Sequence, residues 1–252
     1  ANGNLLTSKD PLNETTSLTY SSVGLVATIT DARTNVTTLT RDSRGRLTQI
    51  KDANNKVMTF GYDDRARVSS STNALAETTT YQYDLKDRLN KIILPDSNSI
   101  TFVYDLAGRR TLTIDSRNKA TTYGYDGAYR LTSVTDPLGH TATYSYDLNS
   151  NLLTQVDALG NETMYEYDDF NRVEKVTFPP AASGLSRLFQ TLTYDRVGNV
   201  KTIVDTAGRT TAYDYDSANR LIKITDALNK ITQFEYNARS QMTKVEDAIG
   251  QE

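Results

Sequence analysis

The chain has 252 residues, 37% hydrophobic and 23% charged, with a formal net charge of −3. That is enough polypeptide for one sizeable folded body in water, and a negative balance with scattered Lys and Arg argues against a general polyanion binder. The absence of cysteine excludes disulfides, Cys-ligated zinc and thiol nucleophiles, and no apolar run approaches the ~20 residues of a membrane-spanning helix. The first residues show no charged-then-apolar leader, so an export signal is expected elsewhere in a longer parent.

In chain order, residues 1–5 read as the continuation of a missing Tyr-Asp, and from there one phrase recurs. Its tyrosine slot falls at Tyr20, Arg41, Tyr62, Tyr83, Tyr104, Tyr125, Tyr146, Tyr167, Tyr194, Tyr215 and Tyr236. Every step is 21 residues except Tyr167 to Tyr194, which is 27. The next position is Asp in nine of the 11 units: Asp42, Asp63, Asp84, Asp105, Asp126, Asp147, Asp168, Asp195 and Asp216. Six residues after the tyrosine slot an apolar residue stands in 10 of 11 units, Arg110 being the exception. Residues 248–252 stop before the next tyrosine, so both ends are expected to cut the repeat. The organisation implied is a single array of about 12 units over 1–252 with a six-residue insertion near 178–190.

Each unit carries two turn signals. The first is Asp-x-x-Gly after the tyrosine, as at Asp42–Gly45 and Asp105–Gly108. The second comes 10 residues later, as at Asp136–Gly139, Asp157–Gly160 and Asp205–Gly208. Asp at the first turn position bonds the backbone two residues on, and the fourth position favours Gly. Asn55, Asn118 and Asn229 take that fourth place elsewhere, consistent with a positive φ. Between turns lie short runs of Thr, Val, Ile and Tyr, the residues of strands. In Thr80-Tyr81-Gln82-Tyr83 the aromatics sit two apart and so share a face. After the first turn the apolar slots are three apart, as at Leu47 and Ile50. Either a β-bulge brings both to one face, or one points in and the other out. Helical spacing is absent. Each unit therefore reads as a β-hairpin and the chain as an all-β antiparallel meander of ~23 strands, which must coil because open sheets rarely pass ~10 strands.

The phrase in Tyr62-Asp-Asp-Arg-Ala-Arg-Val, Tyr83-Asp-Leu-Lys-Asp-Arg-Leu, Tyr104-Asp-Leu-Ala-Gly-Arg-Arg and Tyr215-Asp-Ser-Ala-Asn-Arg-Leu resembles the YD repeat of the Rhs family. That family includes bacterial polymorphic toxins, C components of insecticidal toxin complexes and relatives of teneurins. The resemblance covers essentially the whole chain. It implies part of a hollow β-shell or spiral, secreted or on the bacterial cell surface, with a C-terminal toxin cargo and flanking shell domains of the same polypeptide as partners. It implies a non-catalytic scaffold with no cofactor. No terminal core with cleaving aspartates is present, and Asp136-Pro137-Leu138-Gly139 keeps the ordinary turn register.

Candidate chemistry is sparse. The only histidine is His140, beside a turn glycine, so a multi-His site is impossible within this chain. The local doubles Asp63-Asp64 and Asp168-Asp169 lack the dense carboxylate grouping of calcium loops. No carboxylate pair is marked out for glycoside hydrolysis. Arg follows the first turn at Arg46, Arg67, Arg88, Arg109, Arg130, Arg172 and Arg220, four residues after the aspartate, placed to pair with it and to lay its stem over an aromatic. The repeat-defining residues are Tyr62, Asp63, Tyr83, Asp84, Tyr104, Asp105, Tyr125, Asp126, Tyr146, Asp147, Tyr167, Asp168, Tyr194, Asp195, Tyr215, Asp216 and Tyr236, expected to pack as a ladder. The insertion offers Phe178, Leu185, Leu188 and Phe189 as partner contacts. An alternative is an adhesion module holding carbohydrate or protein through exposed tyrosines and the 178–189 loop. Nucleic acid and a membrane span are not expected, and bare strand edges invite edge-to-edge self-association of the isolated segment.

Overall fold

The computed structural model describes residues 3–182 and 184–247. Both cut ends of the repeat, at 1–2 and 248–252, and residue 183 of the insertion lie outside the described residues. The described residues form 23 β-strands and no helix. The chain divides into two compact units, residues 1–121 and 122–252.

The first unit holds β1 (Thr7–Lys9), β2 (Thr15–Tyr20), β3 (Val26–Thr30), β4 (Val36–Arg41), β5 (Leu47–Lys51), β6 (Val57–Tyr62), β7 (Val68–Thr72), β8 (Thr78–Tyr83), β9 (Leu89–Ile93), β10 (Ser99–Tyr104) and β11 (Arg110–Ile114). The division falls within β12 (Ala120–Tyr125). The second unit continues through β13 (Leu131–Thr135), β14 (Thr141–Tyr146), β15 (Leu152–Val156), β16 (Glu162–Tyr167), β17 (Val173–Thr177), β18 (Phe189–Tyr194), β19 (Val200–Asp205), β20 (Thr210–Tyr215), β21 (Leu221–Thr225), β22 (Ile231–Tyr236) and β23 (Met242–Glu246). Within each unit every strand pairs antiparallel with the next in sequence, a plain meander. The tyrosine slot is the last residue of each even-numbered strand from β2 on, and its Asp neighbour opens the turn.

The turns explain the aspartates. At Asp42 the backbone N–H donates to the Arg46 carbonyl, and the Gly45 N–H donates back to the Asp42 carbonyl. The same pair of bonds closes the second turns, as at Asp157 with Asn161 and Gly160. The fourth turn residue has positive φ throughout, 79° at Gly45 and 85° at Gly160. Asn55, Asn118 and Asn229 adopt it at 61–63°, as their side chains allow, but so do Ala66 at 64° and Thr34 at 65°. Strand pairing on both sides holds these residues in a region that an L side chain resists.

The three-residue spacing after the first turn is a bulge. Leu89 stands opposite Tyr83 and Lys91 opposite Gln82, leaving Asn90 extra. The bulge recurs in every first-turn hairpin of both units, for instance at Thr48, Thr132 and Ile222. One extra residue restores the phase, so Leu89 and Ile92 face the same side as Tyr83 and Tyr81. The aromatic side of each hairpin thus carries Tyr with Leu, Ile or Val. The other side carries mainly Thr, Ser, Gln and Lys, such as Thr80, Gln82 and Lys91. Thr19 with Thr28, and Thr193 with Thr202, share hydroxyl bonds of 2.6 Å there.

The tyrosine side of the sheet is not a sealed core. Among the described residues no hydrophobic side chain is fully buried, and Thr177 is the sole buried residue. The tyrosines that end the even-numbered strands are half-buried. The backbone strain gives a clean test. Ala66→Gly relieves the left-handed conformation and raises the thermal midpoint, by about 1 kcal/mol of local stability. Gly160→Ala, whose Cβ meets nothing within 4 Å, lowers it by a similar amount through the backbone alone. Thermal melts followed by circular dichroism check both signs.

Candidate functional site: the links between units

The repeat-defining side chains assemble at the first-turn edge. Asp63 Oδ1 accepts the N–H groups of Arg65 and Arg67 at 3.0 and 2.9 Å. Asp63 Oδ2 accepts from Arg67 Nε at 2.7 Å. The Arg67 guanidinium then lies over the ring of Tyr83 in the next unit, 4.3 Å from its centroid. The Tyr83 hydroxyl donates back to the Val68 carbonyl at 2.8 Å. Aspartate, arginine, tyrosine and carbonyl thereby form one continuous link from a hairpin to its successor.

The link recurs. In the first unit Arg46 covers Tyr62 at 4.5 Å and Arg88 covers Tyr104 at 4.6 Å. In the second unit Arg130 covers Tyr146 at 4.8 Å, Arg172 covers Tyr194 at 4.4 Å and Arg220 covers Tyr236 at 4.9 Å. The hydroxyls of Tyr62, Tyr104, Tyr146, Tyr167 and Tyr236 donate to the carbonyls of Leu47, Leu89, Leu131, Leu152 and Leu221 at 2.7–2.9 Å. The acceptor has a structural reason. Pairing between β5 and β6 stops at Gln49 opposite Thr59, before the bulge, so Leu47 lies beyond the ladder and Tyr62 takes its carbonyl. Across the insertion the Tyr194 hydroxyl still reaches Val173, at 2.6 Å, so the six extra residues leave the link intact.

In two units Asn takes the place of Arg. Asn151 Nδ2 donates to Asp147 Oδ2 at 2.8 Å and to Asn171 Oδ1 of the following turn at 2.7 Å. Asn199 joins Asp195 to Asn219 in the same way. The sequence reading missed this route. Its only signal was an amide in the arginine slot followed by an amide at the fourth position of the next turn. Tyr125 and Tyr215 end their strands opposite Leu131 and Leu221, and Asp126, Asp168 and Asp216 cap their turns as Asp63 does. Asp84 and Asp105 do so too, with Arg88 and Arg109.

The electrostatics follow from these bonds. The Arg67 guanidinium, with the turn N–H groups, holds the Asp63 carboxyl below the usual carboxylate range, and Arg172 does the same for Asp168. Asn161 lowers Asp157 by amide hydrogen bonding. Partial burial pushes the phenols of Tyr167, Tyr194 and Tyr215 up.

His140 occupies the arginine place of a second turn, its Nδ1 3.0 Å from Asp136 Oδ2, and stands largely exposed. Asp64 and Asp169 stay outside the caps formed by Asp63 and Asp168. No group of three or more His, Cys, Asp or Glu is brought together among the described residues.

The insertion lies on the second-turn edge, between β17 and β18. The Phe178 N–H donates to the Leu188 carbonyl at 2.8 Å, and Arg187 reaches Glu162 Oε2 on β16 at 2.8 Å. Phe178, Leu188 and Phe189 meet around an open hollow of about 360 Å3 with Ala207 and Arg209. Leu185 is exposed and outside that lining.

Antiparallel hairpins linked side by side at this period define a β-hairpin repeat protein. The RHS Repeat family matches residues 104–141, 130–158, 146–179, 194–229 and 215–251, more than half of the chain, and the Teneurin YD-shell family matches residues 2–112. The chain belongs to the Rhs/YD-repeat family. It is similar to a solved TcdB2-TccC3 complex without its hypervariable C-terminal region, at 17% identity and a TM-score of 0.58, covering 92% of this chain and 14% of that one. A Tc holotoxin pore from Photorhabdus luminescens is also similar, at 15% identity and a TM-score of 0.49, covering 94% and 17%. The first likeness speaks to the fold alone. The chain spans less than a fifth of the length of either. No curated protein matches it.

Two outcomes follow. Tyr104→Phe removes only the hydroxyl bond to Leu89 and costs about 1 kcal/mol, read as a lowered denaturation midpoint. The turn aspartates have folded pKa values below their unfolded ones, so their stabilisation is present above about pH 4 and is lost as pH falls through the depressed values. The phenols are raised, so theirs is present below about pH 10 and is lost as pH climbs through the folded values. Melting temperature plotted against pH is therefore flat between these limits and drops on both sides, and Asp63→Asn softens the acid limb.

Proposed function

We propose that the chain is a non-catalytic stretch of a wound β-shell, part of a longer secreted or cell-surface bacterial polypeptide, which encloses or supports another segment of that polypeptide. The observation that carries the reading is the use made of the polar groups. Asp, Arg and Tyr, the side chains with most chemical capacity, are committed to turn caps, ring coverage and carbonyl bonds. What remains is a thin sheet with two differently dressed faces, suited to a wall. Family membership supports the same reading. The 178–189 loop, with Phe178, Leu188 and Phe189 at its hollow and Leu185 outside, is the contact for the enclosed segment or a flanking shell domain.

The adhesion reading draws less support. A sugar platform needs a free aromatic face, and guanidinium groups cover Tyr62, Tyr83, Tyr104, Tyr146, Tyr194 and Tyr236.

Limited proteolysis of the longer polypeptide tests the proposal. The segment downstream of the array resists protease while the array is intact. It becomes cleavable when Arg88→Ala and Arg130→Ala loosen the links. Replacing residues 178–188 by an Asp-Ala-Leu-Gly-Asn turn, the five-residue connection found at 157–161, leaves the melting temperature of the 252-residue chain within a degree or so, about the effect of a surface change, yet reduces that protection. Equal digestion rates in all forms contradict the enclosing role.

A further inference from the structure

In the second unit both edges of the sheet end in apolar turn tips. On the second-turn edge Leu138 and Leu159 occupy the third position of successive turns and are 79% and 87% exposed. On the first-turn edge Leu148, Phe170 and Val197 stand on successive tips and are 68–103% exposed. Single exposed leucines need no explanation. A file of them is different, because successive tips on one edge are two strands apart, about 10 Å. The turn bonds use only the backbone of the third residue, as where Leu159 N–H donates to Asp157 Oδ1, so nothing in the hairpin requires an apolar side chain there.

The charges on the two edges also differ. Asp136 and Asp157 on the second-turn edge are capped by His140 and Asn161, with no Lys or Arg paired to them. On the first-turn edge Arg196, beside Val197, has no hydrogen bond or ion pair among the described residues. Arg172 covers Phe170 at 5.1 Å while bound to Asp168, so that tip presents a firm apolar plate.

We infer that these edges are the two halves of one interface, through which the first-turn edge of one copy of this chain packs against the second-turn edge of another. Leu138 and Leu159 have the tip spacing of the first-turn file, so these two knobs enter its gaps. The free guanidinium of Arg196 meets the stretch of that edge at Asp136 and Asp157, which lack the Arg partner that Asp205 has in Arg209, and this sets the polarity of the contact. The interface joins unlike edges, so each copy keeps one edge free and growth is open-ended. The backbone edges of β1 and β23 take no part.

Sedimentation velocity over a concentration series tests this with the 252-residue chain and two variants, each confirmed folded by circular dichroism. One carries Leu138→Ser and Leu159→Ser, the other Leu148→Ser and Val197→Ser. The wild type associates reversibly, and species beyond the dimer appear at high concentration. Each variant alone is arrested as a monomer. An equimolar mixture of the two regains association but stops at a dimer, because one intact interface remains per pair. A wild type that stays monomeric overturns the inference. Association unchanged in both variants also overturns it and assigns contact to the strand edges. Dimerisation of one variant alone overturns it in favour of like edges meeting.

Discussion

The structure depends on a guanidinium lying on a tyrosine ring. A β-hairpin alone is marginal in water, and among the described residues no apolar side chain is fully buried. What joins hairpin to hairpin, beyond the ladder, is the link from Asp63 through Arg67 and Tyr83 to the Val68 carbonyl, and its repeats. A cation over a half-buried ring contributes about 0.5–1 kcal/mol, and a hydroxyl–carbonyl bond about as much. Neither is large. Repetition along the array makes them decisive, with the Asn151 and Asn199 bridges standing in where the arginine is replaced, since a repeat array is stabilised mainly by nearest-neighbour terms.

This constraint accounts for the fixed period. Tyrosine must end its strand so that the ring meets the preceding turn's arginine and the hydroxyl reaches a carbonyl beyond the ladder. The bulge after each first turn sets both requirements. It frees the carbonyl from strand pairing and returns Leu or Val to the aromatic side. The second turn has no such duty. The six-residue insertion sits there, and Tyr194 keeps its bond to Val173 across it. The period can therefore break on one edge without breaking the array.

Much of this was legible in the sequence because it follows from short-range rules. Alternating Tyr81 and Tyr83, Asp-led turns and Gly or Asn at the fourth position dictate hairpins without long-range knowledge. The rest needed coordinates. Two pairings fit the three-residue spacing of Leu47 and Ile50, and only the register shows the bulge. A carbonyl acceptor such as Leu47 leaves no mark on residue identity, so the hydroxyl bond was invisible. Asn151 stands in an arginine slot, and only the coordinates show it bridging Asp147 to Asn171. Ala66 and Thr34 at positive φ carry no sequence signal either. Neighbouring strands impose the conformation there, against local preference.

Amide hydrogen exchange on the Arg130→Ala variant tests most directly whether the units are held together this way. The substitution removes a group that covers Tyr146 and donates to the Asp147 carbonyl, both in the following hairpin. The account predicts faster exchange in residues 147–151 and at the end of β14, one unit beyond the mutated turn, with distant turns unchanged. Faster exchange confined to residues 126–130, or no change at all, would contradict it.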